Sequence, residues 1–415
     1  MHRKSSFLLV LNCINLYRLI DDTTSWSTML DTRSASWRLA SGQVLWLVAR
    51  IVKRRCFVKR AHWQVFVACA LFAGVVLGGV LAVRAAMPQS QGYHLIKKVV
   101  LGAEGGWDYF EVDSQNTHRI FVPRTNFIQV VEANGNVAGT IQVPHGSQGL
   151  AFAPEFKHGF TMGRGGWVTM FDPETLKVIK EVKPAHERNP DYVLYDPGSK
   201  RVFAFNGGEK GGTAYDAQTG EEAGFIELPG RPEAGQADGQ GHVFVAIIDK
   251  NQITEFDSKQ LKVLNSWSIL PCDLPHGLAI DAKNKRLFPG CRNGMTGVLD
   301  YEKGKIVATI PTGKLTDANR YDPGTGLVFT ASGDGTLTVT HQDTPDKYTV
   351  VQTLETPLFN RTMALDTKSH NIYTVSATSP QVRTRQEAID FFDAVPRRGA
   401  LKYDPGTFTL TIFGR

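Results

Sequence analysis

From residue 93 onward the chain repeats itself every 41 to 44 residues, and a period of that length restricts the fold to a few repeat architectures. Each unit carries a small or apolar residue followed by Asp or Pro: Val112-Asp113, Ala153-Pro154, Tyr195-Asp196, Ala237-Asp238, Ile280-Asp281, Tyr321-Asp322 and Leu365-Asp366. Six to eight residues later an aromatic stands in a short apolar run: Phe121, Phe160, Phe203, Phe244, Phe288, Phe329 and Tyr373. A third run closes on an apolar–acid step, as in Phe171-Asp172 and Tyr215-Asp216, and a fourth alternates, as in Lys262-Val263-Leu264-Asn265. Four β-branched and aromatic runs punctuated by Gly, Pro, Asn and Asp describe a four-stranded antiparallel meander. One such sheet cannot bury both faces, whereas seven set radially bury each against a neighbour. The expected fold is therefore all-β, a seven-bladed β-propeller over residues 93–415.

The two ends of the repeat region complement each other. Tyr93–Val100 reads as a fourth strand that precedes the first unit, and Gly406–Ile412 matches the third strand Gly335–Thr340. The last blade is expected to be closed by the N-terminal strand.

Residues 1–92 have a different composition. They hold 12 Lys/Arg and 3 Asp/Glu, so the formal charge of +6 conceals a body that is mildly acidic at −3. A broad basic nucleic-acid surface is disfavoured. Residues 61–83 contain no Lys, Arg, Asp or Glu, and six cations lie between Arg50 and Arg60. That asymmetry predicts one signal or transmembrane helix within 61–86, cations on the cytoplasmic side and the body exported. Val83-Arg84-Ala85 offers small residues for signal-peptidase cleavage, while the length of the run favours a retained anchor. The expected location is periplasmic or at the cell surface, anchored to the inner membrane if 61–83 is uncleaved. Residues 1–60 read as a cytoplasmic tail or an over-extended gene start. Cys272 and Cys291 are the only cysteines of the body, an even pair of the kind an oxidising compartment joins in a disulfide.

The repeat resembles the YVTN-type β-propeller family of exported seven-bladed proteins, related in fold to lactonase-like and quinoprotein-like propellers. The resemblance rests on Gly105-Gly106-Trp107-Asp108-Tyr109, Tyr195-Asp196-Pro197, Gly277-Leu278-Ala279-Ile280-Asp281, Lys305-Ile306-Val307-Ala308-Thr309-Ile310 and Arg361-Thr362-Met363-Ala364-Leu365-Asp366. A Tyr-Val-Thr-Asn string is absent; Arg119-Ile120-Phe121-Val122 stands in that strand. The resemblance implies a fold and an exported setting, and fold alone does not give function.

In a propeller the loops entering the innermost strands surround one mouth of the central channel. Five residues before each anchor stand Asp108, Gly149, Asp191, Glu233, His276, Asp317 and Arg361. Six blades thus offer a polar or charged group at one symmetric position. Converging carboxylates attract an amine or a divalent cation such as Ca²⁺, the candidate cofactor; the competing reading has each acid bonding its own turn. The loops between second and third strands are polar and cationic, for example Gly163-Arg164-Gly165-Gly166 and Arg292-Asn293-Gly294. In the seventh unit this loop swells to residues 379–405, with Gln386–Phe392 as a candidate short helix serving as lid or docking element. His145, His186 and His276 are candidates to gather at the mouth, and His145-Gly146-Ser147-Gln148-Gly149 only loosely resembles a nucleophile elbow.

The leading expectation is an exported binding protein holding a small ligand or protein partner at the channel face through Asp108, Asp191, Glu233, His276, Asp317 and Arg361. The alternative is a metal-dependent hydrolase or oxidoreductase of the lactonase-like or quinoprotein-like kind.

Overall fold

Seven antiparallel sheets of four strands each follow one another along the chain. The structure, a computed structural model, describes residues 92–102, 106–185, 189–393 and 400–415. The leader reading of 1–60 and 61–86 lies outside the described residues. Among the described residues no helix is long and apolar enough to cross a membrane. Six sheets are simple meanders beginning at Glu111, Leu150, Pro190, Pro232, Pro275 and Thr316. The seventh takes Met363–Asp366, Asn371–Ser376 and Thr409–Gly414 from the C-terminal end and His94–Val100 from the N-terminal end. His94 pairs with Gly414 and Val100 with Thr409, antiparallel.

Each blade's architecture follows from its pattern. The seven second-strand aromatics, Phe121, Phe160, Phe203, Phe244, Phe288, Phe329 and Tyr373, are all fully buried. They fill the space between neighbouring blades, as where Phe288 meets Tyr321 of the next blade at 5.5 Å. Burying an aromatic of this size contributes about 2–3 kcal/mol. Outermost strands alternate, as in Lys262–Ser268, because one face meets water.

The anchor acids act at the opposite end from the mouth. Asp196 accepts the N–H groups of Gly198 and Ser199 and the Ser199 hydroxyl. Asp113, Asp322 and Asp366 do the same with Thr117, Thr325 and Ser369. The third strand ends on a second such turn, where Asp172 receives Glu174 and Thr175, and Asp216 receives Gln218 and Thr219. These carboxylates close tight turns that the backbone alone leaves unsatisfied, which is why an acid recurs at those two places.

Among its described residues the seventh-blade insertion forms one helix, Arg385–Asp393. Its start is a capping box: Glu387 N–H donates to Thr384 Oγ1 at 3.2 Å, and Thr384 N–H donates to Glu387 Oε2 at 3.0 Å. The helix and the return segment pack Ala388, Ile389, Phe392 and Tyr403 onto Leu315 and Phe359 of the blade 6 and 7 mouths. The insertion is thus fixed to the mouth by an apolar contact of its own.

Cys272 and Cys291 are bonded in blade 5, their Cα atoms 5.5 Å apart. The bond ties the loop entering the innermost strand to the end of the second strand, either side of His276 and next to Arg292. Closing a loop of this size stabilises by about 3 kcal/mol at most. Reduction under native conditions is expected to lower the melting temperature by several degrees while leaving the fold intact. No change on quantified reduction would contradict this.

Candidate functional site

The innermost strands of blades 3 to 6 share a local irregularity that decides where their first side chains point. In blade 3, Pro190 pairs with Asn206 and Tyr192 with Phe205, leaving Asp191 as an extra residue. In blade 5 the same slip falls at His276, between Pro275 and Gly277. In blade 6 it falls at Asp317, between Thr316 and Ala318. Blade 4 has one extra residue between Pro232 and Gly235, within Glu233-Ala234. A β-bulge bends its strand and re-aims a side chain that regular pleating would direct into the neighbouring blade. Four successive blades use it to turn a polar group toward the axis. In blade 2 the equivalent residue is Gly149, where a Cβ would lie 3.2 Å from Val193 Cγ2 and that side chain would have to give way slightly.

The six residues expected at the mouth belong to one electrostatic cluster. Glu233, His276 and Asp317 are buried, at 5%, 7% and 2% exposure, and their donor atoms lie within 4.8 Å of one another. One oxygen of Asp317 accepts from Arg361 Nη1. The other, Oδ1, has Arg292 Nη2 at 3.9 Å and no hydrogen-bond partner. Asp191 faces Arg231 at 3.9 Å. Tyr109 donates its hydroxyl to Glu233 Oε1 and to the Asp317 carbonyl, both at 3.2 Å. Asp108 is half-buried beside these groups.

Charge in this setting is costly. Burial, with Asp191, Asp317 and Asp108 nearby, pushes the Glu233 carboxyl well above its ordinary range. Burial likewise pushes Asp108 up to about 8, with Arg361 opposing and Asp191 and Asp317 adding to the rise. Asp191 is raised by burial and by Asp317. Burial works against the Arg361 charge, yet Asp317 and Asp108 outweigh it and hold that guanidinium above its usual value. Burial and the Arg292 charge lower His276 to about 4, so its imidazole is neutral near pH 7. A carbonyl oxygen can only accept, so the 3.0 Å contact of His276 Nδ1 with Leu274 O places the proton on Nδ1. Nε2 therefore keeps its lone pair.

These directions give a pH dependence with a definite sign. The folded protein keeps protons on Glu233 and Asp108 that the unfolded chain has released by about pH 5, so stability falls as pH rises from there toward about 8. His276 acts oppositely below about 6.5, where the unfolded chain takes up a proton that the fold refuses until about 4. We expect Glu233→Gln to melt several degrees above the parent at pH 8.5, the gap closing near pH 4. A parent melting temperature that does not fall between pH 6 and 9 would refute the assignment.

Several neighbours escaped the sequence reading as site residues. Tyr109 follows Asp108, is buried, and meets Tyr192 edge-on at 4.8 Å. Arg231 and Arg292 come from loops, one before the innermost strand of blade 4 and one after the second strand of blade 5. Tyr403, carried in by the insertion, faces the charges of Arg361 and Asp108. An Arg directly after Cys291 was the one available signal. Of the three histidines, His276 groups with Glu233 and Asp317, His145 stacks on Trp167 at 3.9 Å, and His186 lies outside the described residues. Ser147 shares a 2.6 Å hydrogen bond with Thr161, and its segment leads into the strand Leu150–Ala153 where a nucleophile elbow needs a helix.

A cavity of about 450 Å³ is lined by Glu111, Tyr192, Gln236 and Arg320 together with the anchor-end residues Asp113 and Pro154. Arg320 Nη2 holds Glu111 Oε2 there at 2.9 Å. No family model matches this chain, and no curated protein matches it.

Proposed function

We propose that the chain is an exported propeller, of the YVTN type it resembles, that binds a small polar ligand bearing a cationic or donor-rich group at the mouth. The observation that carries this reading is the excess of carboxyls over cations at the mouth. Asp108, Asp191, Glu233 and Asp317 face Arg231, Arg292 and Arg361, and three of the four carboxyls are held above their ordinary range. With all four carboxyls ionised the cluster carries one negative charge in excess, which it meets by holding protons; an ammonium group or a metal cation that enters displaces those protons and takes their place. Export is supported by the apolar run 61–83 behind six cations and by the cysteine pair. If the run is not cleaved, the propeller is held at the membrane surface through it.

The test is a melting screen of the full chain at pH 7.5 with primary amines and diamines beside carboxylates of matched size. Amines are expected to raise the melting temperature, and Asp108→Asn with Asp191→Asn to abolish the rise. Preferential stabilisation by the carboxylates, or indifference to both sets, would overturn the reading.

A further inference from the structure

Glu233, His276 and Asp317 stand out within the mouth because they combine two carboxylates with one imidazole on three successive blades. Among the described residues they form the one group of three or more potential ligands brought within 4.8 Å. We infer that these three side chains form an open, three-ligand site for a divalent first-row transition ion of the Zn²⁺ or Mn²⁺ kind. The inference rests on the mouth being a cation-seeking site and names the cation.

Distance comes first. Donor atoms bound at about 2.1 Å to one ion lie about 3 to 4.2 Å apart, so the present separations, all within 4.8 Å, are close to those a bound ion requires. The ligands are also prepared for the task. His276 is fixed in the tautomer that presents Nε2, by the Nδ1–H bond to the Leu274 carbonyl. Metal-binding histidines are commonly oriented by such a second bond. The Tyr109 hydroxyl braces Glu233 in the same way. Asp317 has one oxygen engaged by Arg361, while Oδ1 is buried without a hydrogen bond. A carboxylate oxygen 98% shielded from water and lacking a donor is costly, and a bound ion would satisfy it. That orphaned oxygen is independent of the clustering itself. All three residues sit at bulges on sheet strands, the rigid placement that metal sites require.

The donor set selects the ion. Ca²⁺ and Mg²⁺ prefer all-oxygen shells, and an imidazole beside two carboxylates moves the preference to Zn²⁺, Mn²⁺ and their neighbours. The Ca²⁺ expectation raised by carboxylates alone is therefore revised by His276. Three protein ligands leave a coordination position for water or for a donor group of the ligand. Arg361 and Arg292 flank Asp317, lowering affinity for the ion and keeping that carboxylate to a single bond.

The experiment titrates chelator-treated full chain with Zn²⁺, Mn²⁺, Co²⁺, Ca²⁺ and Mg²⁺, reading heat and melting temperature. One transition ion per chain is expected, with a rise in melting temperature that Ca²⁺ and Mg²⁺ do not match at equal concentration. Glu233→Gln and His276→Gln should each weaken binding at least tenfold, and Glu181→Gln, on an outer strand, should leave it unchanged. His276→Gln should also alter the visible spectrum of the Co²⁺ form. Circular dichroism confirms that each variant is folded, and Glu233→Gln remains informative if the histidine variant is not. No stoichiometric uptake, uptake indifferent to these substitutions, or tighter binding of Ca²⁺ each overturns the inference. If amines still bind while ions do not, the ion assignment falls and the reading of the mouth stands; if neither binds, both fall.

Discussion

Removing residues 93–101 from the full chain is expected to abolish stable folding. The strand His94–Val100 buries little of its own surface, yet among the described residues it is the strand that covers the outer edge of Thr409–Gly414. Six register pairs join the two strands. At about 0.5–1.5 kcal/mol net for each backbone bond, such a ladder contributes about 5 kcal/mol, comparable to the whole stability of many domains. Tyr93 adds to this: it is buried against Phe329 and donates its hydroxyl to the His370 carbonyl at 2.7 Å. Without the segment, an edge whose Leu410, Ile412 and Phe413 are buried becomes an open template for association. The deletion protein should melt at least 15 °C lower or be recovered only as aggregate. A synthetic peptide of residues 92–101 should restore part of the loss. Melting within about 2 °C of the parent would show that the ring closes without this strand.

Arg361→Ala carries the second large effect. Its guanidinium is the hydrogen-bonding cation of Asp317, which is almost wholly removed from water. Stripping one partner from a buried ion pair costs about 3–5 kcal/mol, because the remaining charge is left uncompensated. Arg292 at 3.9 Å recovers only part of that. The same substitution removes the cation that opposes the rise at Asp108, so that carboxyl should move further upward. Urea unfolding of Arg361→Ala, Asp317→Asn and the double variant separates the contributions. The double variant is expected to be more stable than Arg361→Ala alone. Additive losses would show that the two side chains are not coupled.

The propeller is readable from the sequence because the chain states it seven times. Each repetition sets the same physical constraints: an aromatic between blades, an acid in a turn, an alternating outer strand. Phe203 and Asp196 are legible alone as core and turn, and the period turns them into a blade. The equal offset of Asp191, Glu233, His276 and Asp317 is legible for the same reason. Their aim toward the axis is not, because a bulge is a property of pairing between two strands and leaves no mark on either one. Nor does a period reveal what is aperiodic. Tyr109, Arg231, Arg292 and Tyr403 reach the mouth from a strand approach, two loops and an insertion, at four unrelated offsets. Of the mouth acids, Asp317 and Asp191 meet arginines, whereas Asp108 also bonds the backbone of Tyr109 in its own turn.

The bulges of blades 3 to 6 bear on how such a mouth is inherited. Because the backbone fixes where each first side chain points, a change of side chain there re-sorts the charge pairing at the mouth while the strand pairing of the blade behind it is kept. Aspartate reaches glutamate, asparagine or histidine by a single nucleotide change. The acids and the imidazole now at these four positions are therefore one mutational step from other combinations, each displayed in the same geometry. Blade 2 offers only Gly149 there, and a larger side chain would first have to move Val193. A scaffold of this kind lets new recognition arise at the axis by point mutation, while the seven-fold packing that keeps the chain folded stays outside the reach of that selection.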